Sequence, residues 1–349
     1  MSKRVSRSLD RLYDSGRVEA QRLPLAELRW VVFSDHHRGK LDAADDFATC
    51  ARAYRTALAH YLAEGFGLCL LGDVEELWEC DPNDSLEAHA DCVDLESRFA
   101  RRGRLHRVWG NHDDEWASAG SFDRAVRRVL EDSPEIEVRE AVVFELLDPD
   151  RIGSLVLAHG HQGTAFSDRL SFVSRFLVRH VWRPWQRRTG QRITSLSGDY
   201  GLRHQHEIAQ SRWAASRNRV VLISGHTHHP VFAGEAKETY LMRRRSELEA
   251  ELQSLEDPFL RSDLERRLTE LRADLRYREA RSEGHLLRAG ESNEAYFNAG
   301  CCSYKSGSIT GIELADAEIR LVRWHQQELE PQREVLRSRG LRELFSRLD

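Results

Sequence analysis

Short, mostly apolar runs recur along the chain, and each one ends in a cluster of polar residues. They lie at residues 30–33, 68–71, 105–109, 155–158 and 220–223. A short apolar run bounded by glycine or polar residues predicts a strand that is buried on both faces. An Asp, Asn or His follows within three residues of every run. The pattern therefore predicts buried strands that end in chemically active side chains.

Apolar residues at helix-like spacing separate these strands. They cover residues 45–64, 86–102 and 122–130, and Gly65 and Gly103 end the first two segments. Strands that alternate with helices predict a largely parallel or mixed sheet with functional residues at the strand ends. Strand patterns at 294–299, 309–314 and 319–324 predict a second sheet.

Three segments interrupt or follow this alternation, and the main domain is predicted at residues 25–325. Residues 164–216 mix aromatic side chains with Arg and are interpreted as a helical lid insertion. Residues 237–283 carry leucines at helical spacing, which predicts an antiparallel helical hairpin of coiled-coil type. Such a hairpin is more often a solvated strut or a dimer contact than a catalytic element, so a homodimer through it is a candidate assembly. Residues 326–349 are expected to form a polar tail with a short helix near its end.

Composition narrows the class of protein. The chain has 349 residues, 40% of them hydrophobic, and a net charge of −5. Arg is interleaved with Asp and Glu, which does not favour nucleic acid as a partner, although a local basic patch stays open. No apolar run approaches the roughly 20 residues that span a membrane, and residues 1–22 lack the apolar stretch of a signal peptide. We therefore expect a cytoplasmic protein whose six cysteines stay reduced.

The polar clusters contain the oxygen and nitrogen donors that hard or borderline metal ions prefer. The candidate ligands are Asp35, His37, Asp73, Asn111, His159, His226 and His228. Asp35 and His37 are predicted to point to the same side of an extended segment. A lone Asp-x-His or His-x-His pair is common by chance. All the clusters in chain order, each at the end of an apolar strand, predict a hydrolytic metal site.

In this order the clusters resemble the pattern of the calcineurin-like metallophosphoesterases. The family pattern D-x-H, GD-x-x-[DE], GNH-[DE], H and GH-x-H is matched by SDHH (34–37), GDVEE (72–76), GNHD (110–113), HGH (159–161) and GHTH (225–228). The resemblance covers residues 30–315 without the hairpin. It implies an α/β fold, a four-layer αββα sandwich of two mixed sheets packed face to face with helices outside.

The resemblance also implies a site for two divalent metal ions. One ion would be held by Asp35, His37, Asp73 and His228, and the other by Asp73, Asn111, His159 and His226, so that Asp73 bridges them. The ligands suit Mn²⁺, with Fe or Zn²⁺ as alternatives. Glu76, the last residue of the GDVEE segment, is expected beside the ligands rather than among them.

Such a site implies a dinuclear metal-dependent hydrolase of phosphoesters or diphosphates. A metal-activated water would attack phosphorus in line while the same ions clamp the phosphoryl oxygens. His112, beside Asn111, is placed to protonate the leaving group. Asp113 is expected either to orient His112 or to serve as a helix N-cap or surface carboxylate.

Within the family, the branch of UDP-2,3-diacylglucosamine pyrophosphatase has similar features. They are the segment at 72–84, Asp168 after His159-Gly160, and the aromatic stretch at 172–185. They imply a phosphorylated small-molecule or lipid-linked substrate, although the aromatics also fit simple packing of the insertion. His112 stands where that branch has Arg, and the hairpin is foreign to it, so the substrate stays open.

Other functions fit the same residues. A nuclease or cyclic-nucleotide phosphodiesterase of this fold would add a basic groove to the metal site. A scaffold with a structural or inert metal site would use the hairpin for interactions. The complete ligand set favours an enzyme, because a degenerate member is expected to lose ligands.

Overall fold

A computed structural model describes residues 2–14, 18, 20–43, 45–163, 200–232, 237–255, 260–262, 264–266, 268–269, 271–272, 294–327 and 330–348. The chain divides into two compact units. The first comprises Met1–Val231 and Ala295–Asp349, and the second comprises Phe232–Glu294. All the candidate metal ligands lie in the first unit.

Strands dominate the first unit. They are β1 (Ala20–Pro24), β2 (Trp30–Phe33), β3 (Gly67–Leu71), β4 (Leu105–Val108), β5 (Val138–Arg139), β6 (Ala141–Leu147), β7 (Arg151–Ala158), β8 (Val220–Ser224), β9 (Tyr296–Asn298), β10 (Ile309–Ala315), β11 (Glu318–Gln327) and β12 (Glu330–Gly340). The helices are α1 (Ser2–Asp14), α2 (Ala51–Ala63), α3 (Pro82–Ala88), α4 (Ala90–Arg101), α5 (Ser121–Val129), α6 (Tyr200–Ala215), α7 (Lys237–Ser254, in the second unit) and α8 (Leu341–Ser346).

The strands form two mixed sheets. The five-stranded sheet has the order β1-β6-β7-β8-β9, and the seven-stranded sheet has the order β12-β11-β10-β2-β3-β4-β5. β2, β3 and β4 run parallel, and so do β7 and β8, whereas β10 is antiparallel to β2. The predicted fold class, two mixed sheets with helices, is confirmed.

Alternation of side chains along the strands explains the layers. In β2, Val31 and Phe33 pack against apolar residues of α2 and α4. In β6, Val143 packs with α1 and α6. The other faces of the two sheets meet each other, and the ring of Trp30 lies 5.2 Å from that of Phe144 between centroids. The order is therefore helix, sheet, sheet, helix.

The C-terminal part of the chain differs from the polar tail predicted for 326–349. β12 pairs along its length with β11, and Leu341, Leu344 and Phe345 of α8 are buried. A polar pattern is common in edge strands, and β12 is the edge of the seven-stranded sheet in the part of the chain that the structure describes. β1 and β6, which belong to the five-stranded sheet, are also absent from the sequence prediction.

The helix predicted at 45–64 begins only at Ala51. The carboxylate of Asp45 accepts hydrogen bonds from the backbone nitrogens of Leu41, Phe47 and Ala48. These bonds stabilise a turn in place of a first helical turn, as is common for Asp side chains.

Part of each predicted insertion is described. Residues 164–199 of the lid lie outside the described residues, so the lid stays a prediction. The remainder forms α6, whose Trp213 is buried in the core of the first unit. In the second unit, Leu248, Leu264 and Leu268 form a small apolar core, and the hairpin stays a prediction. Dimerisation through the hairpin stays a prediction.

Two further expectations concern the environment of the chain. Across the described parts of the chain, no helix combines the length and apolar character needed to cross a bilayer. The six cysteines all lie among the described residues, and they are buried thiols rather than disulfides.

Replacing Trp30 tests the contact between the sheets. Its side chain is 3% exposed, so Trp30→Ala leaves a cavity and should lower the free energy of unfolding by about 3–5 kcal/mol in urea titrations. Leu41→Ala is the control, because Leu41 is 59% exposed and its loss should change stability by less than about 0.5 kcal/mol. Equal effects of the two changes would contradict the packing described.

Candidate metal centre

The two sheets bring the predicted ligands together at the ends of their strands. Asp35, Asp73 and Asn111 follow the neighbouring parallel strands β2, β3 and β4. His159 and His226 follow β7 and β8 of the other sheet. Parallel neighbours present their carboxyl ends at one edge of a sheet. The layered packing then places the two edges side by side.

Five of the candidate ligands adopt left-handed backbone conformations, which non-glycine residues rarely do. The φ angles are 54° at Asp35, 52° at His37, 50° at Asp73, 67° at His226 and 56° at His228. The sequence predicted an extended segment at 35–37, and this prediction is wrong, because Asp35 and His37 have positive φ angles. Each such residue costs about 1–2 kcal/mol, and strain of this kind persists at functional sites when the surroundings over-determine it.

Two motif glycines allow the backbone to approach these side chains. A Cβ on Gly225 would overlap Ser34 Oγ and Asp35 Oδ2. A Cβ on Gly110 would overlap Asp73 Oδ1. The glycines in the GNHD and GHTH segments are thus required by close approach to the carboxylates.

One group of donor atoms is formed by Asp35, His37 and His228. The Nε2 atoms of His37 and His228 face each other at 3.0 Å. Asp35 Oδ1 lies 3.2 Å from His228 Nε2 and 3.9 Å from His37 Nε2. Two imidazole nitrogens that converge on a carboxylate oxygen are the arrangement expected around a shared cation.

A second group is formed by Asp73, His159 and His226. Asp73 Oδ2 lies 3.1 Å from His159 Nε2 and 3.9 Å from His37 Nε2, so this oxygen adjoins both groups. His226 Nε2 and Asn111 Oδ1 are buried without a hydrogen-bond partner in the described structure. An orphaned buried nitrogen or oxygen calls for an explanation, and a cation at this position provides one.

In Asp35 and Asp73, one carboxylate oxygen accepts hydrogen bonds from neighbouring protein groups, and the other oxygen points toward the imidazoles of the site. Asp35 Oδ2 accepts from the Ser34 hydroxyl at 2.5 Å and from the His226 backbone nitrogen at 2.8 Å. Asp73 Oδ1 accepts from the His112 backbone nitrogen at 2.8 Å. The remaining oxygens, Asp35 Oδ1 and Asp73 Oδ2, are those that face the imidazoles.

Two imidazoles are oriented in the same way. His37 Nδ1 donates to Glu76 Oε2 at 2.8 Å, and His159 Nδ1 donates to the Leu71 carbonyl at 2.8 Å. A proton held on Nδ1 leaves Nε2 to present its lone pair in the neutral imidazole. Metal-binding histidines are commonly oriented by such bonds.

The buried carboxylates of the site favour positive charge on the side chains around them. Burial opposes ionisation of Asp73, but His159 and the other imidazoles outweigh it and hold the pKa of Asp73 well below its usual value. Burial likewise opposes the charged form of His37, but Glu76, Asp73 and Asp35 raise the pKa of His37 to about 10. The pKa of His159 rises to about 9 against burial, because of Asp73 and Asp35. Buried carboxylates that demand cationic partners suit divalent metal ions.

His112 lies against Glu76 rather than Asp113. Its Nδ1 is 2.8 Å from Glu76 Oε1, and its ring stacks on Trp78 at 4.1 Å between centroids. Burial works against the imidazolium, but Glu76 and Asp73 raise the pKa of His112. Glu76 therefore lies between His37 and His112 and fixes both rings.

The carboxylate of Asp113 accepts hydrogen bonds from backbone N–H groups, and this differs from both roles expected for it. It is fully buried, so it is not a surface carboxylate, and it makes no side-chain cap to the short helical turn that follows. It accepts from the backbone nitrogens of Gly110 at 2.6 Å and Val74 at 2.8 Å. Burial, together with Asp73 and Glu75, raises the pKa of Asp113 to about 7. It connects the loops that carry Asp73 and Asn111.

Several residues of the site were not predicted from the sequence. Asn298 donates through Nδ2 to the Gly225 carbonyl at 2.7 Å and so supports the GHTH loop. His161 is buried, and its ring lies 5.4 Å from that of His159. Its spacing from His159 repeats the His-x-His of 226–228, which was the available signal. No sequence signal marks Asn298, because its contact is with the backbone carbonyl of Gly225, which is distant in sequence.

Comparisons with known proteins add little to this geometry. No protein-family model matches the chain, and no curated protein matches it. A solved structure of Vps29 from Cryptosporidium parvum is 12% identical with a TM-score of 0.35, over 90% of this chain and 98% of that one. A single mutant of Vps29 from Entamoeba histolytica is 14% identical with a TM-score of 0.31, over 88% and 98%. Likenesses this weak establish no shared activity.

Replacing Gly225 tests the close approach at the site. Gly225→Ala places a Cβ against Ser34 and Asp35, and it should weaken Mn²⁺ binding about tenfold or more in calorimetric titration. Gly340→Ala is the matched control, because nothing lies within 4 Å of its added Cβ. Wild-type affinity in Gly225→Ala would contradict the geometry described.

Proposed function

We propose that the chain is a dinuclear metal-dependent hydrolase of phosphoesters or diphosphates. The observation that carries the proposal is the position of Asp73 Oδ2, which adjoins donors of both groups, 3.1 Å from His159 and 3.9 Å from His37. A carboxylate oxygen between two sets of imidazoles is the arrangement that a bridging ligand needs. The resemblance of the five sequence segments to the metallophosphoesterases supports the same conclusion.

The proposed ligands divide into two sets. Asp35, His37, Asp73 and His228 would hold one divalent ion, and Asp73, Asn111, His159 and His226 would hold the other. The oxygen and imidazole donors suit Mn²⁺, Fe or Zn²⁺, and Mn²⁺ is our first choice. When bound, two such ions supply Lewis-acid polarisation of the phosphoryl group and lower the pKa of water in the site.

The protein's own residues supply the proton. His112 is held by Glu76 through Nδ1, which leaves Nε2 as the atom that gives a proton to the leaving oxygen. The carboxylates of Glu76 and Asp73 raise the pKa of His112 and so favour its imidazolium form. Asp113 acts indirectly, by fixing the loop that carries His112.

The substrate class is proposed on narrower grounds. Trp78 is partly exposed beside His112, and an aromatic face next to the acid suits a substrate with an apolar or planar leaving group. A nucleotide-linked lipid diphosphate is one candidate, in line with the pyrophosphatase branch that the sequence resembles. A cytoplasmic location is proposed from the sequence alone.

Hydrolysis of bis(4-nitrophenyl) phosphate with added Mn²⁺ tests the function. We expect release of nitrophenolate that depends on metal and stops in EDTA, because the ions supply the Lewis acid. A panel of nucleotides and UDP-linked lipids would then identify the substrate. No turnover on either, with two metal ions shown to be bound, would support a metal-binding scaffold instead.

Removal of Asp73 should affect both metal ions together. Asp73→Ala deletes the oxygen that adjoins both groups, so elemental analysis should find less than one ion per chain where the wild type holds two. Asp148→Ala is the control, because Asp148 pairs with Arg342 away from the site. A variant that keeps two ions without Asp73 would refute the bridge.

Removal of His112 should separate catalysis from metal binding. His112→Ala should lower kcat by about 10²–10⁴-fold while the metal content stays at the wild-type value, because His112 is a proton donor in the proposal and not a ligand. The loss should be smaller with a substrate whose leaving group needs no proton, such as a nitrophenolate. Unchanged turnover with an alkyl leaving group would remove His112 from the mechanism.

A further inference from the structure

Four charged side chains form a closed ring beside the segments that carry the candidate ligands. Arg38, Glu75, Glu96 and Arg107 are each at most 2% exposed. Arg38 contacts Glu96, and Arg107 contacts Glu75. Two longer contacts of 3.9 Å close the ring, from Arg38 to Glu75 and from Arg107 to Glu96. The charges alternate and sum to zero.

Neighbouring aromatic residues complete the ring. The hydroxyl of Tyr54 donates to Glu96 at 2.8 Å, and the indole nitrogen of Trp116 donates to Glu75 at 2.9 Å. The guanidinium of Arg107 lies 3.9 Å from the ring centroid of Phe122. The ring is thus enclosed by protein, and solvent does not screen its charges.

Three members of the ring belong to the segments that carry the ligands. Arg38 directly follows His37, Glu75 lies between Asp73 and Glu76, and Arg107 lies in β4 just before Asn111. The backbone joins the first two segments as well, since Arg38 N donates to the Val74 carbonyl at 2.9 Å and Glu76 N donates to the Arg38 carbonyl at 3.0 Å. Only Glu96, on α4, stands outside the ligand segments.

Stability alone does not explain four buried charges. Ion pairs inside proteins lose most of their attraction to desolvation, and apolar replacements are often as stable or more so. In some proteins, buried polar or charged groups instead fix one arrangement of the chain. The ligand segments need such fixing, because Asp35, His37 and Asp73 hold left-handed conformations.

We propose that the ring of Arg38, Glu75, Glu96 and Arg107 positions the first three ligand segments so that the two metal ions bind at the spacing catalysis needs. Its members are positioning residues and not catalytic residues. This inference rests on the proposed function for its consequence in turnover, but its first effect is on metal binding.

Two variants test the ring in the full chain. Glu96→Gln removes the one ring charge that lies outside the ligand segments. The double variant Arg38→Met with Glu96→Gln removes a charge pair and keeps the balance of charge in the ring. Both should weaken Mn²⁺ binding about 10- to 100-fold in calorimetry. Both should also lose the exchange-coupled electron paramagnetic resonance signal of a Mn²⁺ pair at concentrations that saturate the wild type.

A second buried carboxylate serves as the control. Glu313, in β10, accepts from Arg333 and Tyr61, neither of which belongs to the ring or to the ligand segments. Glu313→Gln should lower the thermal midpoint in EDTA but keep wild-type Mn²⁺ affinity and the coupled signal. That contrast separates positioning from general stability.

The outcomes are distinct from those of the hydrolysis assay. Wild-type affinity and signal in a folded ring variant would overturn the proposal, whether or not the wild type hydrolyses phosphoesters. Failure of both ring variants to fold, while Glu313→Gln folds, would also overturn it in favour of a folding role. If the wild type binds two Mn²⁺ ions but shows no turnover, the proposed hydrolase function is wrong. The effect of the ring on metal binding can still be measured in that case.

Discussion

The structure depends on the burial of carboxylates at one point where two sheets meet. Asp35 and Asp73 are at most 1% exposed, and Glu76 is 9% exposed. Carboxylates in such surroundings need hydrogen bonds and positive partners, or they take up protons. Here backbone and hydroxyl donors satisfy one oxygen of each aspartate, and imidazoles face the other. The positive charge that these carboxylates favour is the reason why this cluster could hold metal ions.

This demand accounts for the local conformation of the chain. A strand end can bring its side chain to the shared point only if the backbone turns sharply there, which explains the left-handed residues at Asp35, Asp73 and His226. The adjoining backbone must also come close, which explains the missing Cβ at Gly110 and Gly225. Each motif is therefore a candidate ligand together with the turn that presents it.

The sequence predicted structure and candidate site residues well where the relevant pattern lies within a short stretch of the chain. Mostly apolar runs predicted β2, β3, β4, β7 and β8, although β4 also carries His106 and Arg107. The ligand candidates followed from their positions at the ends of these runs. In contrast, β12 has the polar sequence of an edge strand, and its place in the sheet depends on pairing with β11, which no local pattern shows.

Partners distant in sequence were the main limit within the site. Asp113 stands next to His112 in the chain, so it was the natural candidate to orient that imidazole. In the structure, Glu76 takes this place because the loop after β3 lies beside the loop after β4, and the Asp113 carboxylate turns to the backbone of Gly110 and Val74. The same proximity gathers Arg38, Glu75 and Arg107, which single positions would class as surface charges. The neighbourhood of strands in a parallel sheet thus decides which charged residue contacts which candidate ligand. The order of residues in the sequence alone does not reveal these contacts.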